Sequence, residues 1–326
     1  MNWGDFVPTL EQISLEAILS ARERLGDSVV RTPLVRLGVY DAPADIYLKL
    51  ENLQPIGSFK LRGAGNAIRG ASREQLAGGV FTASAGNMAQ GVAWHARRLG
   101  VRCSVVVPDH APEAKLAAIA RLGADIVKVP FEQWWQVIVT HSYPALGGLF
   151  VHPVSDPAVV AGNGTIGLEI CEDLADVDTV VVPYGGGGLS CGIAAAVKAL
   201  RPGARVLACE VSTAAPLAAA LAAGEPTAIP YQPSFVDGIG SSGVLAEMWP
   251  LVRSLLDGSV TVELADVAAA VRLLVERNRV VAEGAGATAV AAALSGRAGA
   301  GKVVCVVSGG NIDSAKLARI LTGAVP

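Results

Sequence analysis

The chain has 326 residues, 52% hydrophobic and 17% charged, with a formal net charge of -3. Such a composition excludes a disordered chain, and the slightly acidic balance argues against nucleic acid or an anionic membrane as a partner. The longest apolar runs, such as 303–307, are strand-length, so none spans a bilayer; no basic region followed by an apolar stretch opens the chain, and a cytoplasmic location is expected.

From the N-terminus onward, short buried strands are predicted over 46–50, 80–82, 104–107, 126–129, 180–183, 206–209 and 303–307, with helices in the gaps. This alternation is the sequence form of a parallel sheet covered on both faces, an α/β fold. One helix is predicted over 89–99 and another over the alanine-rich stretch 214–223. A third opens at Leu264-Ala265-Asp266, with Val267, Val271, Leu274 and Val275 on one face. No repeat, low-complexity tract or proline-rich linker divides the chain.

The first segment with chemical potential is Gly57-Ser58-Phe59-Lys60-Leu61-Arg62-Gly63, in an unusually lysine-poor chain. A lysine must be neutral to attack an aldehyde, and at its ordinary pKa of roughly 10.4 almost none is neutral at pH 7. Partial burial beside Phe59 would lower that value, making Lys60 a Schiff-base candidate; an exposed lysine at a helix start is the competing reading. Ser84-Ala85-Gly86-Asn87 follows a strand and precedes a helix, so its free amides suit an anion, although alone Ser84 and Asn87 read as caps. Strand 180–183 runs through Tyr184 into Gly185-Gly186-Gly187-Gly188 and a helix from Leu189. Four glycines let the backbone approach an oxyanion closely, and the helix N-terminus aims N–H groups at the same place. No lysine or arginine occurs between Gly185 and Ala196, so a phosphate here would be held by neutral amides. Ser308-Gly309-Gly310-Asn311 closes the last strand.

Cys103, Cys171, Cys191, Cys209 and Cys305 sit singly in apolar contexts and read as buried reduced thiols. His95, His110, His141 and His152 lie outside the glycine and serine motifs, and nothing has metal-ligand spacing, so no metal is expected.

In this order and spacing, the four motifs resemble the fold-type II pyridoxal-phosphate enzymes, specifically the threonine/serine dehydratase and serine racemase branch. The resemblance runs from Arg31-Thr32-Pro33-Leu34 to Asn311. It implies two parallel-sheet α/β domains of the tryptophan synthase β type: a large cofactor-binding domain from 1–78 and 156–326, and a small substrate-closing domain over 79–155. It implies pyridoxal 5'-phosphate as cofactor, an amino acid as substrate and a homodimer as the common assembly. The chain ends about fifteen residues after Asn311, so no C-terminal regulatory domain is expected.

By the same resemblance, Lys60 tethers the cofactor and removes the substrate's α-proton, while Ser308 bonds the pyridine nitrogen and Asn87 the ring oxygen. Gly185, Gly186, Gly187, Gly188 and Leu189 take the phosphate. Phe59, Gly238 and Glu283 flank the ring, although a helix N-terminal carboxylate explains Glu283 equally well. Ser84 with Gly86 grips the substrate carboxylate, with Ala85, Asn87, Met88 and Trp135 around it. Serine racemases place a second serine, the acid on the face opposite the lysine, where this chain has Ala85. The implied reaction is therefore elimination from a β-hydroxy-α-amino acid to a 2-oxo acid and ammonia; racemisation and β-replacement are the alternatives on the same cofactor.

Three departures stand out. Met88 replaces a usual histidine, and Trp134 and Trp135 occupy a region where racemases carry an arginine and polar residues. Together these suggest a bulky or apolar β-substituent, as in phenylserine, with tryptophans packing on their own helix as the competing reading. Glu210 matches a divalent-metal ligand of the family, but Pro216 replaces its acidic companion, so that metal is expected to be absent or weakly held.

Overall fold

The computed structural model describes residues 9–326. In chain order the strands are β1 (Leu34–Arg36), β2 (Asp45–Lys49), β3 (Val80–Ala83), β4 (Cys103–Pro108), β5 (Asp125–Val129), β6 (Leu149–Phe150), β7 (Thr179–Pro183), β8 (Arg205–Val211), β9 (Ser259–Val262) and β10 (Lys302–Val306). Six of them form one sheet in the order β1-β2-β10-β7-β8-β9, and four form a second in the order β5-β4-β3-β6. Every pairing is parallel except β1 with β2. The four-stranded sheet is made entirely from residues 80–150.

Helices cover both faces of the larger sheet, which is why its central strands are continuous apolar runs. Val180 and Val182 join Val304 and Val306 in one core, while Val181 joins Val303, Cys305 and Val307 in the other. The smaller sheet divides the same way, with Val105 and Val107 on one side and Val106 on the other. All five cysteines are buried and unpaired.

Each strand expected from the sequence is present within a residue or two. β1, β6 and β9 were not expected; the first two have three and two residues, and β9 is only half buried, so none carries a full apolar pattern. The alanine-rich helix begins at Pro216, at its first turn, where the missing N–H costs nothing. The helix from Leu264 runs to Leu273 and then widens into a π-turn, Leu274–Asn278, so Val275 leaves the regular face.

Two residues beyond Lys60, Arg62 is 1% exposed and sits between two carboxylates. Its guanidinium donates to both oxygens of Glu51 and both of Glu169, and Lys49 donates to Glu169 and to the Thr32 carbonyl. Burial alone would raise the Glu51 pKa, but the Arg62 charge and hydrogen bonds hold it below the ordinary carboxylate value.

Candidate active site

A cavity of about 300 Å³ opens where β3, β7 and β10 end, on the carboxyl side of both sheets. Phe59, Lys60, the 84–88 loop, the 185–189 segment, Gly238, Glu283 and Ser308 all line it. Trp135 does not.

Lys60 opens the helix Lys60–Gly70. The turn before it is pinned to the last serine motif: Phe59 N–H donates to Ser308 O at 3.0 Å, and Gly310 N–H donates to Gly57 O at 2.9 Å. The Lys60 Nζ donates to Pro153 O at 2.6 Å and lies 5.2 Å from the Phe59 ring centre. Burial pushes its pKa down to about 8, bringing the nucleophilic form within reach near neutral pH.

The glycine loop follows β7, and Gly187, with φ 98°, caps the helix Gly188–Leu200. Left-handed backbone at that point favours glycine. A methyl group on Gly186 would lie 2.6 Å from the Val154 side chain, and one on Gly188 would lie 2.5 Å from Val154 O. The helix's first N–H groups have no intrahelical acceptor and face this cradle.

At the end of β3, the Ser84 hydroxyl accepts from Gly86 N–H at 3.2 Å, and Gly86 occupies the cap position of the helix Asn87–Leu99. Asn87 is thus the first helical residue and not its cap. Its side chain crosses the cavity, donating to Glu283 Oε1 at 2.8 Å and accepting from Asn311 Nδ2 at 2.8 Å. Burial first, then the nearby Asp237 charge, raises the Glu283 pKa to about 7, with the Asn87 hydrogen bond opposing. A group whose folded pKa exceeds its unfolded value weakens the fold as pH rises between the two, here from about 4.5 to about 7. Glu283→Gln should therefore make the coenzyme-free protein more stable at pH 8, by about 3 kcal/mol at most, with no gain at pH 4; melting curves at both values check this.

A family model described as "Pyridoxal-phosphate dependent enzyme" matches residues 25–309. The chain belongs to this family. Among curated members, the L-threonine ammonia-lyase of Thermotoga maritima is 41% identical over 314 residues, covering 95% of this chain and 78% of that one. The catabolic L-threonine dehydratase TdcB of Escherichia coli is 38% identical over 321 residues, covering 96% and 97%. The structure of maize serine racemase superposes with a TM-score of 0.88 at 32% identity, covering 95% of this chain and 97% of that one.

Pyridoxal phosphate is the cofactor of this family, and the residues present fit it. A depressed lysine, a side-chain-free cradle at a helix N-terminus and a buried serine at the end of β10 share one cavity. Gln90, Lys115, Val154 and Asp237 also line this pyridoxal-phosphate site and belong to none of the sequence motifs.

One expectation needs correction. Trp134 packs on the core with Val137 and Ile138, three and four residues on, which turns its neighbour Trp135 outward at 41% exposure. Trp135 is therefore a surface residue of this pyridoxal-phosphate enzyme, and Met88 is 2% exposed in the small-sheet core, with only its edge on the cavity. Away from this cavity, His141, His152 and Glu247 bring ligand-type atoms within 4.8 Å of one another, a proximity that no spacing in the sequence announces. The two imidazoles are stacked, 4.3 Å apart and 20° from parallel, so their in-plane lone pairs do not converge. His152 Nδ1 also accepts from Val154 and Ser155 N–H.

Glu210 does not fit a divalent metal either. Its carboxylate accepts from Leu217 N–H at 2.7 Å, Ala218 N–H at 2.9 Å and Ser259 Oγ–H at 2.6 Å, capping the helix that Pro216 opens.

Proposed function

We propose that the protein is a pyridoxal-phosphate-dependent lyase that dehydrates a β-hydroxy-α-amino acid of the threonine or serine type, releasing a 2-oxo acid and ammonia. The observation that carries this reading is one cavity holding Lys60, with its pKa near 8, the glycine cradle, and the 84–88 loop with alanine at position 85. The threonine ammonia-lyase and dehydratase names of its relatives support it.

When bound, pyridoxal phosphate supplies an electron sink for the pair left at the α-carbon. In this reading the N–H groups of 185–189 hold its phosphate, Ser308 its ring nitrogen and Asn87 its ring oxygen, with Phe59, Gly238 and Glu283 beside the ring. Ser84 and the Gly86 amide orient the substrate carboxylate toward the positive end of the Asn87–Leu99 helix. Lys60 takes the α-proton at Nζ. The side chain at 85 offers no proton to the opposite face, so inversion is slow and departure of the β-hydroxyl wins.

Ala85→Ser should accordingly add racemisation while elimination persists, raising the inversion-to-elimination ratio about tenfold or more. Chiral analysis of the remaining amino acid, beside ammonia release, checks this. With Trp135 at the surface, the phenylserine reading loses its main support. Ammonia release from serine, threonine and threo-phenylserine tests the substrate class, and a clear preference for phenylserine would overturn the threonine or serine assignment.

The sheet built from residues 80–150 supports treating 79–155 as the small closing domain and 1–78 with 156–326 as the large one. No helix among the described residues is long and apolar enough to cross a membrane, in keeping with a cytoplasmic enzyme. Exposed Tyr40, Leu53 and Val281 offer apolar surface for a homodimer.

A further inference from the structure

Four ionisable side chains line the cavity: Lys60, Lys115, Asp237 and Glu283. The first and last are part-buried and carry the pKa shifts described above. Lys115 and Asp237 retain 41% and 46% of their side-chain surface, so they stand at the mouth. Their Nζ and Oδ2 atoms are 2.8 Å apart. Lys115 comes from the helix Glu113–Arg121, between β4 and β5 of the smaller sheet; Asp237 starts the turn Asp237–Ile239, which belongs with the larger one. Among the described residues this is the one ion pair joining the two units.

The Asp237 side is held firmly. A methyl on Gly238 would lie 3.0 Å from the Ala285 Cβ, and one on Gly185 would lie 3.3 Å from the Ile239 Cα, so the turn is wedged between the glycine cradle and the Glu283 helix. Lys115, by contrast, is a long flexible side chain. An exposed pair of this kind contributes only about 0–1 kcal/mol to stability, so it opens readily and its loss leaves the fold intact.

We propose that the Lys115–Asp237 pair determines which side chains the cavity accepts, with Asp237 occupying the Lys115 ammonium so that uncharged β-substituents are favoured and acidic ones are rejected. A carboxylate arriving at the mouth can reach Lys115 only by displacing Asp237, and it then meets a like charge fixed by the wedged turn. An uncharged substituent leaves the pair closed over it. With Asp237 neutral, Lys115 becomes a free counter-ion and the preference reverses toward dicarboxylic amino acids. The reaction arm of this inference rests on the dehydratase reading; the binding arm does not.

The test uses coenzyme-loaded wild type, Asp237→Asn and Lys115→Met, with Asp237→Ser as a second neutral variant should the first load poorly. Calorimetric titration with L-aspartate and L-alanine, which have no β-hydroxyl to lose, gives the ratio of dissociation constants. Neutralising Asp237 should shift that ratio at least tenfold toward aspartate, and Lys115→Met should show no such gain. A smaller shift, or an equal gain in Lys115→Met, overturns the proposal. Ammonia release from threo-3-hydroxyaspartate against threonine should move in the same direction. A shifted binding ratio with no ammonia from any hydroxy amino acid would leave the charge selection standing and remove the dehydratase reading.

Discussion

Lys60→Ala should reduce ammonia release by at least about 10³-fold and leave the protein without a covalently attached coenzyme. Two losses combine: the amine that forms the covalent link and the base that takes the α-proton, and general-base catalysis alone is worth about 10²–10⁴-fold. The fold should survive, because the Nζ has a single hydrogen-bond partner, the Pro153 carbonyl. Wild-type apoprotein should capture the coenzyme aldehyde faster as pH rises, about tenfold per unit below the lysine's pKa of about 8, then level off. Absorbance of the linked coenzyme and ammonia assays on both proteins check this; a variant retaining either property would remove Lys60 from its assigned role.

The second large effect is structural. Arg62→Met should destabilise the protein by about 3–5 kcal/mol, lowering its melting temperature by roughly 4–7 °C. Lys49 continues to neutralise Glu169, so the main cost falls on Glu51, which keeps only the Thr32 hydroxyl and the Gln54 amide. In the wild type Glu51 is depressed and contributes stability above its unfolded pKa, lost as pH falls. Without Arg62 burial, the largest effect, outweighs what the Thr32 hydroxyl and the Lys49 charge still supply, so acidification should favour the variant's fold. The gap between the two melting temperatures should narrow below about pH 5, and a gap that widens would contradict the ion-pair account. Arg62→Met combined with Glu51→Gln should recover part of the loss, since no ionised group is then left alone at that position.

Much of this site was legible because its parts are local motifs. Lys60 after an aromatic residue, four glycines after an apolar strand, and serine loops at strand ends each announce backbone geometry within a few residues. The central strands were equally plain, since burial on both faces makes them uninterrupted valine runs. The unread features depend on tertiary distance. Asp237 and Lys115 are 122 positions apart and follow no pattern that either would betray alone. Arg62 is separated from Glu169 by 107 positions, and a lone arginine beside Lys60 reads as exposed until the fold encloses it. Trp135 failed for the opposite reason: adjacent aromatic residues on a helix point in different directions, and composition does not say which one turns inward.

Pro153 and Val154 are consecutive, and the first accepts from the Lys60 amine while the second packs on Gly186 and Gly188. Consecutive Cα atoms are held about 3.8 Å apart, so neither contact can shift without dragging the other. This dipeptide is a rigid gauge between amine and cradle. A substitution in the glycine loop that displaces Val154 therefore also moves the carbonyl that accepts from the lysine amine.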